Sequence, residues 1–335
     1  SSHMSSSYAV FCLKKKKMVK ERFFGLSNHQ GNHGEDIKEI FYYLDNTPTH
    51  SYMKMVYKYP QNAFPYEDLI KTNAERSNKE TEYEIIDTGI FDQNEYFDIF
   101  IEYAKIHHDD ILIRVTVTNR NSEKAPLVIL PTLWYRNNWS WGYNSYKPNF
   151  TTRHRGQIEI EHESLGMKKL YSRDKSVKIL FCENETNTEK LFGKKSENKY
   201  FKDGINHHIV HQKNTVNPKK FGTKAAFVID TELEGGETKT FDFRMSPHKM
   251  ENAFFDFDEV FEVRKKESDE FYDEIQKDFN CEDEKNVQRQ AFAGLLWNKQ
   301  FYHYKVGKWL NGDPNFPVER NFEHHVRNVE WKHMN

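Results

Sequence analysis

Cysteine is scarce in this chain: three in 335 residues, at Cys12, Cys182 and Cys281. They are odd in number, far apart and without metal-ligand spacing, which excludes a disulfide framework and points to a reducing compartment. A cytoplasmic protein is therefore expected. Charge of one sign is lacking too, because 49 Lys+Arg stand against 51 Asp+Glu for a net charge of -2. No overall field gathers nucleic acid or anionic lipid, and neither is an expected partner. No apolar run reaches the length of a membrane helix, and Tyr8 to Leu13 is too short for a signal core and precedes its lysines. A Gly-rich phosphate loop, a dinucleotide fingerprint and a Ser or Cys nucleophile motif are all missing, so no cofactor is expected.

What the chain has is strand pattern and aromatic residues. Tyr96 to Lys105 places Phe97, Ile99 and Ile101 on one face, and Ile111 to Thr118 sets Ile113, Val115 and Val117 against Leu112, Arg114, Thr116 and Thr118. Further strands are predicted at Glu82 to Ile86, Ala125 to Leu133, Gln157 to Glu161, Lys168 to Tyr171, Val177 to Cys182, Lys224 to Leu233 and Thr238 to Met245. Glu234-Gly235-Gly236 reads as a hairpin joining the last two, and Ile37 to Tyr59 reads as two strands around Asp45-Asn46-Thr47-Pro48. Many antiparallel strands with few helices between them predict a mainly β protein, a large antiparallel β-sandwich. After Pro247 the pattern turns helical. Phe257 to Asp278 is amphipathic, whereas Glu284 to Tyr304 has too many apolar positions for one stripe and should be buried on more than one side. The resulting division is residues 1–18 as a leader or cloning remnant, 19–250 as the sandwich, 251–282 as a linker helix, and 283–335 as the start of a truncated helical domain.

The richest chemistry lies in Leu133 to Gly142, where Trp139 and Trp141 accompany Arg136 and Asn137. A sugar offers an apolar face to an aromatic ring and an edge of hydroxyls to fixed polar groups. On an extended segment Trp139 and Trp141 would face the same way; burial in a sandwich core is the competing reading, strongest for Trp134. Asn32, His33, Glu35 and Asp36 could bind a sugar or a metal, serve as acid and base, or form a turn or helix N-terminus, and His50, in a stretch that ends at Tyr52, could join His33 at one site. Adjacent carboxylates are poor acid/base partners, because glycoside hydrolysis needs two carboxyls facing each other about 5–9.5 Å apart. Asn184, Glu185 and Asn187, with Asp203, suit a loop that holds hydroxyls or fastens two domains, although turn chemistry accounts for them equally. His107-His108 and His207-His208 read as loop histidines, and no metal is expected.

These stretches together resemble the N-terminal part of bacterial glucosidase-like proteins related to glycoside hydrolase family 63, the mannosyl-oligosaccharide glucosidase family. The resemblance is carried by KERFFGL at Lys20 to Leu26, GNHGEDIKE at Gly31 to Glu39, YLDNTPTHSYMK at Tyr43 to Lys54, YKYPQNAFPY at Tyr57 to Tyr66 and LPTLWYRNNWSWG at Leu130 to Gly142. It continues in ENETNTEKLFG at Glu183 to Gly193, YFKDGIN at Tyr200 to Asn206, VNPKKFGTKAA at Val216 to Ala226 and VQRQAFAGLLWNKQFYHY at Val287 to Tyr304. It implies a galactose-mutarotase-like supersandwich, linker helices and the first helix of an (α/α)6 barrel whose remainder is absent. It also implies that the family's general acid and base lie beyond Asn335, so that no catalytic residue transfers to this chain. The polar and aromatic side chains named above would then serve substrate binding or the domain interface, the expected partners being a gluco-oligosaccharide and the barrel of the same parent. The implied parent is an inverting α-glucosidase, and this segment alone is expected to be inactive. Two other readings stay open: a freestanding carbohydrate-binding or interaction module, and a mutarotase-like epimerase with His33 or His50 as acid and Glu35 as base.

Overall fold

The computed structural model describes residues 10–13, 40–144, 146–193, 195–196, 198–299, 308 and 311–317. Strands β1 (Val10–Leu13), β6 (Ala125–Trp134), β12 (Lys224–Leu233) and β10 (Lys178–Cys182) form a four-stranded sheet in the order β1-β6-β12-β10. The nine-stranded sheet runs β11 (Phe221–Gly222), β7 (Asn149–Thr151), β8 (Gln157–His162), β9 (Gly166–Ser172), β13 (Thr238–Ser246), β5 (Asp110–Asn119), β4 (Tyr96–His107), β3 (Tyr52–Pro60), β2 (Ile40–Asn46). Neighbouring strands in both sheets run antiparallel, as the alternating patterns predict. The protein is thus mainly β, built on a large antiparallel two-sheet scaffold.

Alternation explains the core. Ile113, Val115 and Val117 of β5 and Phe97, Ile99 and Ile101 of β4 meet Leu127, Ile129 and Leu133 of β6 and Phe227 of β12, so the main cluster draws on both sheets. Each such side chain contributes roughly 1.5–3 kcal/mol through removal from water. The opposite face of the large sheet is covered by α4 (Phe257–Ile275), whose Phe257 and Phe261 pack on Tyr52, Ala104 and Leu112. The buried charges on that face are paired. Arg244 is almost fully buried, with both ends of its fork on Asp110 at 2.8 Å and a further bond to Asp256 at 2.6 Å. Arg114 binds Asp242 and lies over the rings of Phe257 and Phe261.

The structure departs from three of these readings and pairs a short strand within the leader segment. Glu234-Gly235-Gly236 does not close a hairpin, because β12 and β13 lie in different sheets and this corner crosses between them. The turn from β5 to β6 crosses beside it, and Asn119 staples the pair: its Nδ2 donates to the carbonyls of Glu123, Leu233 and Glu234 at 2.8, 3.1 and 3.1 Å. Gly235 lies so close to this turn that a Cβ would come 2.0 Å from the Ser122 carbonyl oxygen. Glu82 to Ile86 is not a strand but an extended approach to a 3₁₀ turn at Ile85–Thr88. Reciprocal side-chain bonds of Glu84 and Asp87 cap that turn, a local competitor the strand pattern hides. Val10–Leu13, within the segment set aside as a leader, pairs with Ile129 to Thr132 of the small sheet. Finally α5 (Glu282–Trp297) buries only Ala293, while Val287 and Leu295 are 62% and 71% exposed.

The remaining helices are α1 (Tyr66–Glu75) and two short ones, α2 (Thr188–Phe192) and α3 (Gly204–His211). His207 and His208 therefore lie on a helix and not in a loop. A two-residue ribbon, β14 (Gly312–Asp313) with β15 (Phe316–Pro317), completes the described chain.

Candidate functional site: the tryptophan loop and its carboxylates

Beyond β6 the backbone leaves the sheet and turns through a short 3₁₀ segment, Trp139–Trp141, ended by Gly142 at φ 90°. A 3₁₀ turn rotates successive residues by about 120°, so Trp139 and Trp141 do not share a face as an extended segment would have made them. Trp139 is only 6% exposed, and its indole N–H donates to Glu185 Oε1 at 2.9 Å. Trp141 instead carries the Arg136 guanidinium over its ring at 5.1 Å. The Asn137 side-chain oxygen accepts from the Ser140 N–H at 3.2 Å and so shapes the turn. Trp134 is half-buried, with the Lys224 ammonium over its ring at 5.5 Å, and is less enclosed than Trp139.

Glu185 is the hub. Besides Trp139 it accepts from Asn198 Nδ2 at 3.1 Å and pairs with Lys147. Burial alone would raise its pKa, yet the donors from Lys147, Trp139 and Asn198 outweigh it and hold the carboxyl below its ordinary value. Two residues earlier Glu183 goes the other way. Burial raises it, and the Thr223 hydroxyl, donating at 2.8 Å, offsets only part of that. Between them Asn184 turns inward, its Nδ2 donating to the Tyr135 carbonyl at 2.8 Å.

Asn187 and Asp203 are also brought together. Asn187 Oδ1 caps α2 by accepting from the Lys190 N–H at 3.0 Å, and its Nδ2 lies 3.3 Å from Asp203 Oδ2. Asp203 in turn faces His207 Nε2 at 3.3 Å and Lys190 Nζ at 3.5 Å. Backbone bonds tie this network to the first, since Lys202 N–H donates to the Glu185 carbonyl at 3.0 Å. Of the side chains that complete the cluster, Glu183 and Thr223 lie in matched segments without being singled out, and Lys147 and Asn198 carry no sequence signal. They sit in separate loops with ordinary polar composition.

His50 and Tyr52 belong to the β2–β3 hairpin. His50 adopts φ 54°, uncommon without glycine, and its Nδ1 bonds Asn46 Oδ1 at 3.0 Å. Tyr52 donates to the buried Glu102 at 2.5 Å, and Lys265 lies 3.5 Å from the same carboxylate. Nearby, Asp45 accepts from Ser268 at 3.0 Å and from Arg289, and the Trp297 indole donates to the Asp45 carbonyl at 3.1 Å. Asn32, His33, Glu35 and Asp36 lie outside the described residues. Among the described residues no group of three or more His, Cys, Asp or Glu is placed to hold a metal ion, and no helix is long and apolar enough to cross a membrane.

Fold and site together define a mainly β two-sheet domain with a polar loop cluster at one end. No family model matches the chain. It is similar to the uncharacterized protein YMR196W of Saccharomyces cerevisiae, 36% identical over 369 aligned positions that take in 96% of this chain and 34% of that protein. The chain therefore spans about a third of the length of this curated relative. Solved structures similar to it include a polysaccharide lyase, 12% identical over 47% of this chain and 21% of the other, with a TM-score of 0.30. Another is a galactose mutarotase related enzyme from Lactobacillus acidophilus, 9% identical over 62% and 71% of the two chains, also with a TM-score of 0.30. Superpositions this loose transfer neither a site nor a reaction.

Proposed function

We propose that this chain is the sandwich and linker part of a family 63-like α-glucosidase that cleaves oligosaccharides with inversion, its acid and base residing in a helical domain of the parent. The observation that carries the reading is α5. One side is latched to the sheet edge through Arg289 and Trp297, while Val287 and Leu295 on the same helix stay exposed, leaving an apolar surface for more helices. The ordered sequence resemblance supports it, as does the greater length of the yeast relative. Within this reading the tryptophan loop is a wall beside the substrate. Arg136 and Trp141 face the gluco-oligosaccharide, and Glu185 holds their turn in place through Trp139. A cytoplasmic location accords with the cysteine usage.

The chemistry of the cluster supports a positioning role. Inverting hydrolysis needs a carboxylic acid opposed to a carboxylate with water between them. Glu185, held ionised by three donors, is a poor proton donor, and Glu183 is bonded to Thr223 within its own loop. The test is release of nitrophenol from aryl α-glucosides by the purified chain and by its full-length parent. The parent should turn over and the chain should not. Turnover by the chain that survives re-purification overturns the proposal.

A further inference from the structure

We propose that the tip of the β2–β3 hairpin is an oxyanion site, in which Lys105 and Lys299 with the amide of Asn46, beside the His50 ring, take the carboxylate or phosphate of a small ligand. Three elements bring these groups together. The hairpin supplies Asn46 and His50; β4 supplies Lys105, whose N–H donates to the Ser51 carbonyl at 2.9 Å; the residues after α5 supply Lys299. The end of α5 is fixed there because Trp297 stacks on Tyr43 at 4.9 Å and donates to the Asp45 carbonyl at 3.1 Å.

Two observations point to an anion. First, the Lys105 side chain is half-buried, yet neither it nor Lys299 has an ion pair or side-chain hydrogen bond among the described residues. A desolvated ammonium without a counter-charge is costly. The carboxylates of the region are engaged elsewhere, Asp45 by Arg289 and Ser268, and Glu102 by Tyr52 and Lys265. Second, Asn46 is fully buried and its Nδ2 donor has no partner, while its Oδ1 holds His50. The shape of the hairpin tip is set locally, the His50 backbone being kept in the left-handed region by its own N–H bond to the Thr47 carbonyl at 2.9 Å. Lys105 and Lys299 are also the charges that act on the His50 ring, which burial and these two ammonium groups hold below its ordinary pKa. Among the described residues, no carboxylate pairs with either of these two ammonium groups.

The experiment is calorimetric titration of the purified chain with sodium sulfate at low ionic strength. Saturable binding is expected. Lys105→Gln should weaken it by about tenfold or more, the worth of one charge-assisted contact, and Lys299→Gln by a smaller factor. Lys239→Gln, far along β13, should leave it unchanged. In sulfate-free buffer Lys105→Gln should melt at or above the wild-type temperature, because the substitution removes an unpaired buried charge. Should that variant fail to fold, Lys299→Gln decides, since its side chain is exposed. Glucose 6-phosphate and glucuronate should displace sulfate, and glucose should not. The proposal is overturned by non-saturable binding, by wild-type affinity in Lys299→Gln or in folded Lys105→Gln, by equal weakening in Lys239→Gln, or by failure of both sugar anions to displace sulfate.

Discussion

Glu183 and Glu185 sit two residues apart on one segment, and their surroundings separate their titrations. Glu185 has its folded pKa held below the ordinary 4.5, so the stability it contributes is present above that value and lost as pH falls through the folded pKa. Glu183 has its folded pKa raised mainly by burial, so its contribution favours the folded state below 4.5 and is lost as pH rises through the raised value. Opposite outcomes follow for isosteric changes. Glu185→Gln should cost about 1–3 kcal/mol at pH 7, since three donors lose their anion, and the deficit should shrink below pH 4. Glu183→Gln should leave stability at pH 7 unchanged or increased. Urea melts at several pH values check both, and equal losses at pH 7 would refute the distinction. The sequence singled out Trp139, Asn184, Glu185, Asn187 and Asp203, which the fold does gather. It could not tell that Trp139 is a buried anchor, because its Glu185 partner is 46 residues away.

Strands were the most legible elements. β5 alternates in burial from Ile113 to Asn119, β4 buries the predicted Phe97, Ile99 and Ile101, and the ends of both strands fall within a few residues of the predicted ones. The double-glycine corner was misread because two glycines between two strands satisfy the local rule for a hairpin. What sends β12 and β13 into different sheets is non-local: the side chain of Asn119 and the close approach of Ser122. Substitution separates the two kinds of glycine. Gly235→Ala should lose roughly 1–3 kcal/mol through collision with the Ser122 carbonyl. At the β8–β9 turn, Gly166→Ala meets open space and pays only the left-handed conformation, about 1 kcal/mol. Asn119→Ala should fall with the first group, since it strips three carbonyls of their donor. Denaturant midpoints rank the three; a Gly166→Ala loss above that of Gly235→Ala would contradict the packing of this corner.

At the scale of the whole molecule, the two C-terminal helices attach to the sheet by different means. α4 lies on the face through aromatic burial and the Arg244–Asp110–Asp256 and Arg114–Asp242 groups, whereas α5 holds the β2 edge chiefly through Arg289 and Trp297. Trp297→Ala removes both the stack on Tyr43 and the bond to the Asp45 carbonyl. Its cost should be on the order of 3 kcal/mol, confined to local opening of α5. Hydrogen exchange should show faster α5 amides with β4 and β5 unchanged; uniform acceleration would mean that α5 belongs to the cooperative core.

The Asn119 staple joins residues 114 positions apart in the chain. At a ribosomal pace of roughly 5–20 residues per second, Leu233 is added about 6–23 s after Asn119. For that interval β5 has β4 on one flank and no β13 on the other. A bare strand margin of ten residues is open during synthesis to pairing with another nascent polypeptide, so the order in which this sheet is made leaves its centre the last part to close.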